Sequence, residues 1–188
     1  MNVALTITLW GWIAAENVLQ ARQRRRSGRT ERTEWFSFVV FVVLIISGLA
    51  LAPPIRLWVP SLSYSTHDLS VRAAVLVTAW AGIALRVWAI ITLGRFFRGT
   101  VHIQQGHEVV SSGPYRWMRH PSYSGMLLAG LALALPLDNA AAWLVFTACA
   151  LTAVAYRVRV EERMLLNVLG EEYRSYAART HRLIPGVW

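Results

Sequence analysis

Gly113-Pro114-Tyr115-Arg116-Trp117-Met118-Arg119-His120-Pro121-Ser122-Tyr123-Ser124-Gly125 sets three aromatic residues, two arginines, a histidine and two prolines between two strongly apolar segments. Gly113-Pro114 is a tight-turn signal. A proline at position 121 holds His120 out of the helical region and sets the start of the next helix at a defined angle. With Pro121 at the first helical position, the N–H groups of Ser122 to Ser124 are expected to point out of the helix end, where they suit a carboxylate or hydroxyl ligand. His120 and Tyr123 can add hydrogen bonds. A cluster of interfacial Trp, Tyr and Arg anchors would need neither the His-Pro step nor the paired glycines.

Working outward, the chain of 188 residues has room for one domain, 1–188. It is 55% hydrophobic, only 15% charged, and has a mean hydropathy of +0.41, the balance of a membrane protein. Apolar segments over about 2–21, 34–52, 71–93, 121–137 and 140–156 predict an all-α integral membrane protein of five transmembrane helices. Pro53 and Pro54 are expected to end the second. The Pro136 to Asn139 turn makes the last two a tight hairpin, and the fifth helix is expected to run on to about Leu169, where Gly170 ends it. A short amphipathic helix over 171–179 follows.

All nineteen basic residues are arginines, and the net charge is +9. They flank apolar segments instead of forming a patch on a soluble domain, so anionic membrane lipids are the expected counter-charge and nucleic acid is not an expected partner. Sixteen of the nineteen fall in 22–32, in 94–120 and after 156. Under five spans these share one side, which puts the N-terminus outside and the C-terminus in the cytoplasm. A small chain without lysine is expected from a GC-rich, prokaryotic genome, which makes this a multi-pass protein of a prokaryotic inner or cell membrane. Arg22 to Arg32 reads as a solvated topology-setting loop. Glu16 is expected to reach the interface and pair with the arginines after it. Arg86, costly at its depth by about 3 kcal/mol, is expected to face the bundle or reach the interface. The single Cys149 reads as a small buried hydrophobe and excludes a disulfide or a cysteine-based metal cluster, and no metal is expected.

A second constellation, Arg157-Val158-Arg159-Val160-Glu161-Glu162-Arg163-Met164-Leu165, puts Arg157 and Glu161 on one helix face. Alone it reads as an exposed helix with ordinary ion pairs. No GxGxxG occurs, which leaves a Rossmann-type cofactor fold without support.

The ordered set of Gly113 to Gly125, Glu161-Glu162-Arg163-Met164-Leu165, Gly170-Glu171-Glu172-Tyr173-Arg174-Ser175-Tyr176 and Arg182-Leu183-Ile184-Pro185 resembles the isoprenylcysteine carboxyl methyltransferase family, to which phospholipid methyltransferases are related. The resemblance covers about 93–188, with 1–70 as membrane frame helices. It implies an S-adenosylmethionine-dependent methyltransferase without a Rossmann domain. The cofactor lies in a cytoplasmic pocket, and a lipophilic or prenylated substrate enters from the bilayer. Carried over by position, Gln104, His107, Glu108, Val109, Val110, Gly113, Tyr115, His120, Pro121, Ser122, Tyr123 and Glu161 would bind the cofactor. Arg157 would hold the substrate carboxylate, with Arg157 and Glu161 as the catalytic pair. An isoprenylcysteine-type carboxylate is the leading acceptor. A phospholipid amine or thiol, an NADPH-dependent sterol-type reductase and a non-catalytic lipid-binding protein are the alternatives.

Overall fold

The computed structural model describes residues 3–26, 30–97, 101–104 and 108–186, with side chains over 3–22, 34–97 and 108–186. The helices are α1 (Val3–Arg26), α2 (Phe36–Ala50), α3 (Ala52–Trp58), α4 (Leu69–Leu93), α5 (Pro121–Ala134), α6 (Ala140–Leu169) and α7 (Glu171–Ala177). One short antiparallel ribbon departs from the all-helical expectation: β1 (Thr30–Glu34) pairs with β2 (Val101–Gln104), Thr33 opposite His102. Backbone pairing therefore occupies part of what reads in sequence as a solvated arginine loop, and it satisfies N–H and C=O groups there that water would otherwise take.

Among the described residues, three stretches are long and apolar enough to cross a membrane: Phe36–Trp58, Leu69–Phe96 and Ala140–Leu169. Pro121–Leu137 is shorter, and the polar tail of α1 keeps it below the same standard. Pro53 and Pro54 do not end the second stretch. α2 ends at Ala50, but helix resumes at Ala52 after Leu51, itself in the helical region, and the prolines fall in the first turn of α3, where a missing N–H costs nothing. The other boundaries follow local signals. Asn139 caps α6 by accepting from the Ala142 amide at 3.1 Å, after Asp138 turns in the left-handed region. Gly170, at φ +53°, ends α6 after 30 residues.

Two sets of contacts define the ends of the bundle. At one end, Asn139 donates to the Val59 carbonyl at 2.9 Å, Thr66 to Asp138 at 2.6 Å, and Tyr64 to the Leu135 carbonyl at 2.7 Å. At the other end the β1–β2 ribbon joins the connections after α1 and α4. The helices thus run alternately between the two ends.

The tightest packing is α4 on α5. A Cβ at Gly82 would lie 2.5 Å from the Ala129 amide nitrogen and 2.7 Å from the Gly125 carbonyl oxygen. A Cβ at Gly125 would lie 2.6 Å from the Gly82 carbonyl oxygen. Two glycines, four residues short of a buried arginine and four residues past a proline, let these backbones touch.

Candidate active site

The α4–α5 contact delivers the quoted stretch to its place. Gly113, at φ +55°, lies against Thr92 and Trp88 of α4, where a Cβ would be 2.9 Å from the Thr92 hydroxyl. Tyr115 is buried, and its carbonyl accepts from the Tyr176 hydroxyl at 2.7 Å. Burial, reinforced by the nearby Glu161 charge, pushes the Tyr115 phenol well above its usual range. Burial likewise pushes Tyr176 up to about 12, against the pull of Arg119.

Of the three N–H groups expected to be open at the start of α5, two are taken within the first turn. The amides of Tyr123 and Ser124 both donate to the His120 carbonyl, at 3.0 and 3.1 Å. The Ser122 hydroxyl and carbonyl instead accept from Arg86, at 2.9 and 3.0 Å. The rest of the Arg86 guanidinium is clasped by Glu16: Nε donates at 2.6 Å and Nη2 donates to the second carboxylate oxygen. Glu16 therefore pairs across the bundle with Arg86, 70 residues away, where it was expected to pair with the arginines that follow it. A charge buried in an apolar bundle is held there by a partner of opposite charge.

His120 is buried between two carboxylates. Its Nε2 is 3.4 Å from Glu162 Oε1, and its Nδ1 is 3.9 Å from Glu161 Oε2. Glu162, absent from the expected site, is the hub of this region, also pairing with Arg119 Nε at 3.0 Å and Arg182 Nε at 2.9 Å. The tail is bound alongside. Arg119 donates its amide to the His181 carbonyl at 2.7 Å, His120 to Arg182 at 3.0 Å, and the Ser124 hydroxyl to Leu183 at 2.6 Å. The sequence signal for Glu162 was present in the doubled acid Glu161-Glu162, but helical periodicity alone does not say which of the two turns inward.

Tyr123 joins this cluster to a cavity. Its ring lies 5.9 Å from that of His120, its hydroxyl accepts from Arg157 Nε at 3.1 Å, and Glu161 interacts with the same hydroxyl. Arg157 is buried among three rings, with its guanidinium carbon 5.7 Å from Phe38, 5.6 Å from Phe41 and 5.8 Å from Tyr123. These residues line a cavity of about 270 Å³ whose other walls include Trp12, Glu16, Asn17, Gln20, Arg86 and Met126. Helices α1 and α2, expected only as frame, thus supply much of its lining.

Of the expected site residues, Tyr115, His120, Pro121, Ser122, Tyr123, Arg157 and Glu161 fall in or beside this assembly. Glu108 is exposed and pairs with Arg95 at 3.7 Å. Val109 donates its amide to Glu172 at 3.4 Å, and Val110 is half-buried beside it. Gln104 lies in β2, opposite Thr30, with only its backbone described, and His107 lies outside the described residues.

Long apolar helices around a buried histidine–carboxylate cluster and an arginine in an aromatic cage define an integral membrane protein with a polar site set into its bundle. A profile of the isoprenylcysteine carboxyl methyltransferase (ICMT) family matches residues 74–167, half of the chain, and the chain belongs to that family. It is 33% identical over 112 residues to a probable protein-S-isoprenylcysteine O-methyltransferase of Oryza sativa subsp. indica, covering 58% of this chain and 59% of that one. It is 36% identical over 108 residues to protein-S-isoprenylcysteine O-methyltransferase B of Arabidopsis thaliana, covering 56% and 55%. Among solved structures, the eukaryotic intramembrane Ras methyltransferase ICMT superposes with a TM-score of 0.63 at 26% identity, over 78% of this chain and 52% of that one. The chain thus spans under three fifths of the length of these curated relatives.

Proposed function

We propose that this chain is an S-adenosylmethionine-dependent carboxyl O-methyltransferase acting on a lipophilic, isoprenylcysteine-type carboxylate that enters from the bilayer. The observation that carries the reading is the bridge from Glu161 through the Tyr123 hydroxyl to Arg157, which sets a carboxylate–histidine cluster beside an arginine-bearing apolar cavity. Family membership and the relatives' names support it.

The residues present suit the cofactor. Glu161 and the faces of Tyr115 and Tyr123 match a cationic sulfonium. The Tyr173 hydroxyl, buried without a partner among the described residues, is a donor in reserve beside Glu161 and Glu162. When bound, S-adenosylmethionine supplies an already activated methyl group. His120 and Tyr123 line its side of the site, and Glu162, with Arg119 and Arg182, fixes His120.

On the other side, Arg157 orients the acceptor carboxylate, its own position set by the Tyr123 hydroxyl. Phe38, Phe41 and Met126 exclude water from the acceptor oxygen, which strengthens the arginine–carboxylate attraction. A carboxylate is ionised at neutral pH, so no side chain removes a proton and transfer yields a neutral ester. The chain's contribution is alignment of two reactants.

The same reading places five helices across the membrane, N-terminus outside and C-terminus cytoplasmic. The β1–β2 ribbon supports it, because it joins the two arginine-rich connections at one end of the bundle. Calorimetric titration of S-adenosylmethionine into the purified protein tests the site: binding is expected, with loss in His120→Ala and Glu161→Ala. Unaltered affinity in both variants overturns the assignment.

A further inference from the structure

The segment 180–185 carries Arg182-Leu183-Ile184-Pro185 and lies outside the family-matched residues 74–167. Backbone hydrogen bonds fix its course. The His181 amide donates to the Trp117 carbonyl at 3.0 Å, and the amides of Arg119 and His120 donate to the carbonyls of His181 and Arg182, at 2.7 and 3.0 Å. Met118 and His181 thereby form a parallel bridge. Arg119 Nη1 donates to the Thr180 carbonyl at 3.1 Å, and the Ser124 hydroxyl to the Leu183 carbonyl at 2.6 Å. Polar backbone groups just ahead of α5 thus find their partners on this segment.

The two side chains that follow the bridge reach different halves of the site. Arg182 is partly exposed, and its Nε donates to Glu162 Oε2 at 2.9 Å, while the other oxygen of that carboxylate faces His120 Nε2 at 3.4 Å. Leu183 is buried in one apolar cluster with Val154 and Val158 of α6. Phe41, Tyr123 and Met126 pack against this cluster and also line the cavity beside Arg157. Leu183 therefore stands behind the acceptor wall, next in sequence to a residue that holds the histidine–carboxylate cluster.

We propose that segment 180–185 is a strap that sets both halves of the site at once. Arg182 is a positioning residue for the cofactor, acting through Glu162 and His120. Leu183 is a positioning residue for the acceptor, acting through Phe41 and Met126. The proposal rests on the carboxyl methyltransferase reading and adds to it a division of roles between neighbouring residues. Without Arg182, Glu162 keeps its pairing with Arg119 but loses one of the groups that orient it toward His120. Shortening Leu183 leaves a void behind the wall, into which Phe41 and Met126 relax away from the acceptor. Linkage adds a consequence for the unaltered chain: a strap that favours cofactor binding when docked must dock more firmly when the cofactor is bound.

The test uses the detergent-solubilised full chain. Arg182→Gln is expected to weaken S-adenosylmethionine binding about tenfold, the loss typical of a hydrogen bond to a charged group, and to leave KM for N-acetyl-S-farnesylcysteine unchanged. Leu183→Ala is expected to raise that KM about tenfold with S-adenosylmethionine affinity unchanged, and Leu183→Met, which conserves volume, to restore it. In the unaltered chain, saturating S-adenosylmethionine is expected to slow amide exchange at Arg119, His120 and His181 more than at Ala142 and Trp143, at the far end of the bundle. That measurement stands even where a variant fails to fold. Equal losses for both ligands in both variants, no loss in either, or exchange at 119–120 and 181 that follows the far end overturns the strap. Absence of S-adenosylmethionine binding by the unaltered chain overturns the methyltransferase reading with it.

Discussion

Replacing Gly82 with alanine probes the contact that positions everything else. The added methyl would sit 2.5 Å from the Ala129 nitrogen, 2.7 Å from the Gly125 oxygen and 3.0 Å from the Ala129 Cα. The first is about 0.9 Å inside the start of ordinary contact at 3.4 Å. All three atoms are backbone of the facing helix, so no rotamer change relieves them and α4 and α5 must separate. Overpacking of this kind costs about 1–3 kcal/mol, and the absence of a flexible neighbour places this case near about 3. For a chain of this size that is a fall in melting temperature of roughly 6–12 °C. Gly130, on the same α5, is the control: its added Cβ meets nothing within 4 Å. Gly130→Ala is expected to keep or slightly raise the melting temperature, because alanine favours a helix over glycine by about 1 kcal/mol. Because Arg86 and Ser122 meet across this seam, Gly82→Ala is also expected to weaken S-adenosylmethionine binding. Thermal unfolding in detergent, followed by tryptophan fluorescence, reads the effect. Equal melting of Gly82→Ala and the parent chain, or equal damage from Gly130→Ala, would refute the close-packing argument.

Three further outcomes are expected. Glu16→Gln leaves the buried Arg86 without its counter-charge and should cost about 3 kcal/mol, whereas Glu16→Gln with Arg86→Met should recover most of it; additive losses in a double-mutant cycle would show that the pair is not coupled. Glu162→Gln removes the carboxylate shared by His120, Arg119 and Arg182, so amides at 119–120 and 181 should exchange on the order of tenfold faster, the change that about 1.4 kcal/mol gives; unchanged exchange would dismiss Glu162 as the tail's anchor. Tyr176 keeps its proton to about 12 in the folded protein, while in the unfolded chain it ionises near 10, so its contribution is full below about pH 10 and is lost as pH rises toward 12. Alkaline unfolding should therefore begin later for Tyr176→Phe if the shift dominates, and an unmoved alkaline limb would count against it.

Helix ends and hydrophobic runs were legible in the sequence because their causes are local. Gly170, Asn139 and Pro121 each act on adjacent backbone, and the structure has boundaries at all three. Pro53 and Pro54 are ambiguous in sequence because proline stops a helix it interrupts but is tolerated in the first turn of one that it opens, and only the break at Leu51 between α2 and α3 decides which. The pairing of β1 with β2 joins segments some seventy residues apart; Thr30–Glu34 is polar throughout, and the alternation Val101-His102-Ile103-Gln104 covers only four residues. At the site, the dense stretch Gly113 to Gly125 marked the place, since polar groups concentrated at an apolar border need partners. Their partners were not legible. Glu16 and Arg86 are 70 residues apart, and either alone reads as a charge reaching for the interface. Glu162 was hidden behind Glu161, and the part of α1 and α2 in the cavity was hidden by their generic composition.

The central claim is that the methyl group goes to a carboxylate oxygen. Incubating the purified chain with methyl-labelled S-adenosylmethionine and N-acetyl-S-farnesylcysteine, then treating the product with base, tests it directly, because a methyl ester releases volatile labelled methanol and an N- or S-methyl product does not. Base-volatile label is expected from the unaltered chain and is expected to be lost in Arg157→Ala. Label that stays with the product through base treatment, or no label in the unaltered chain, would contradict it.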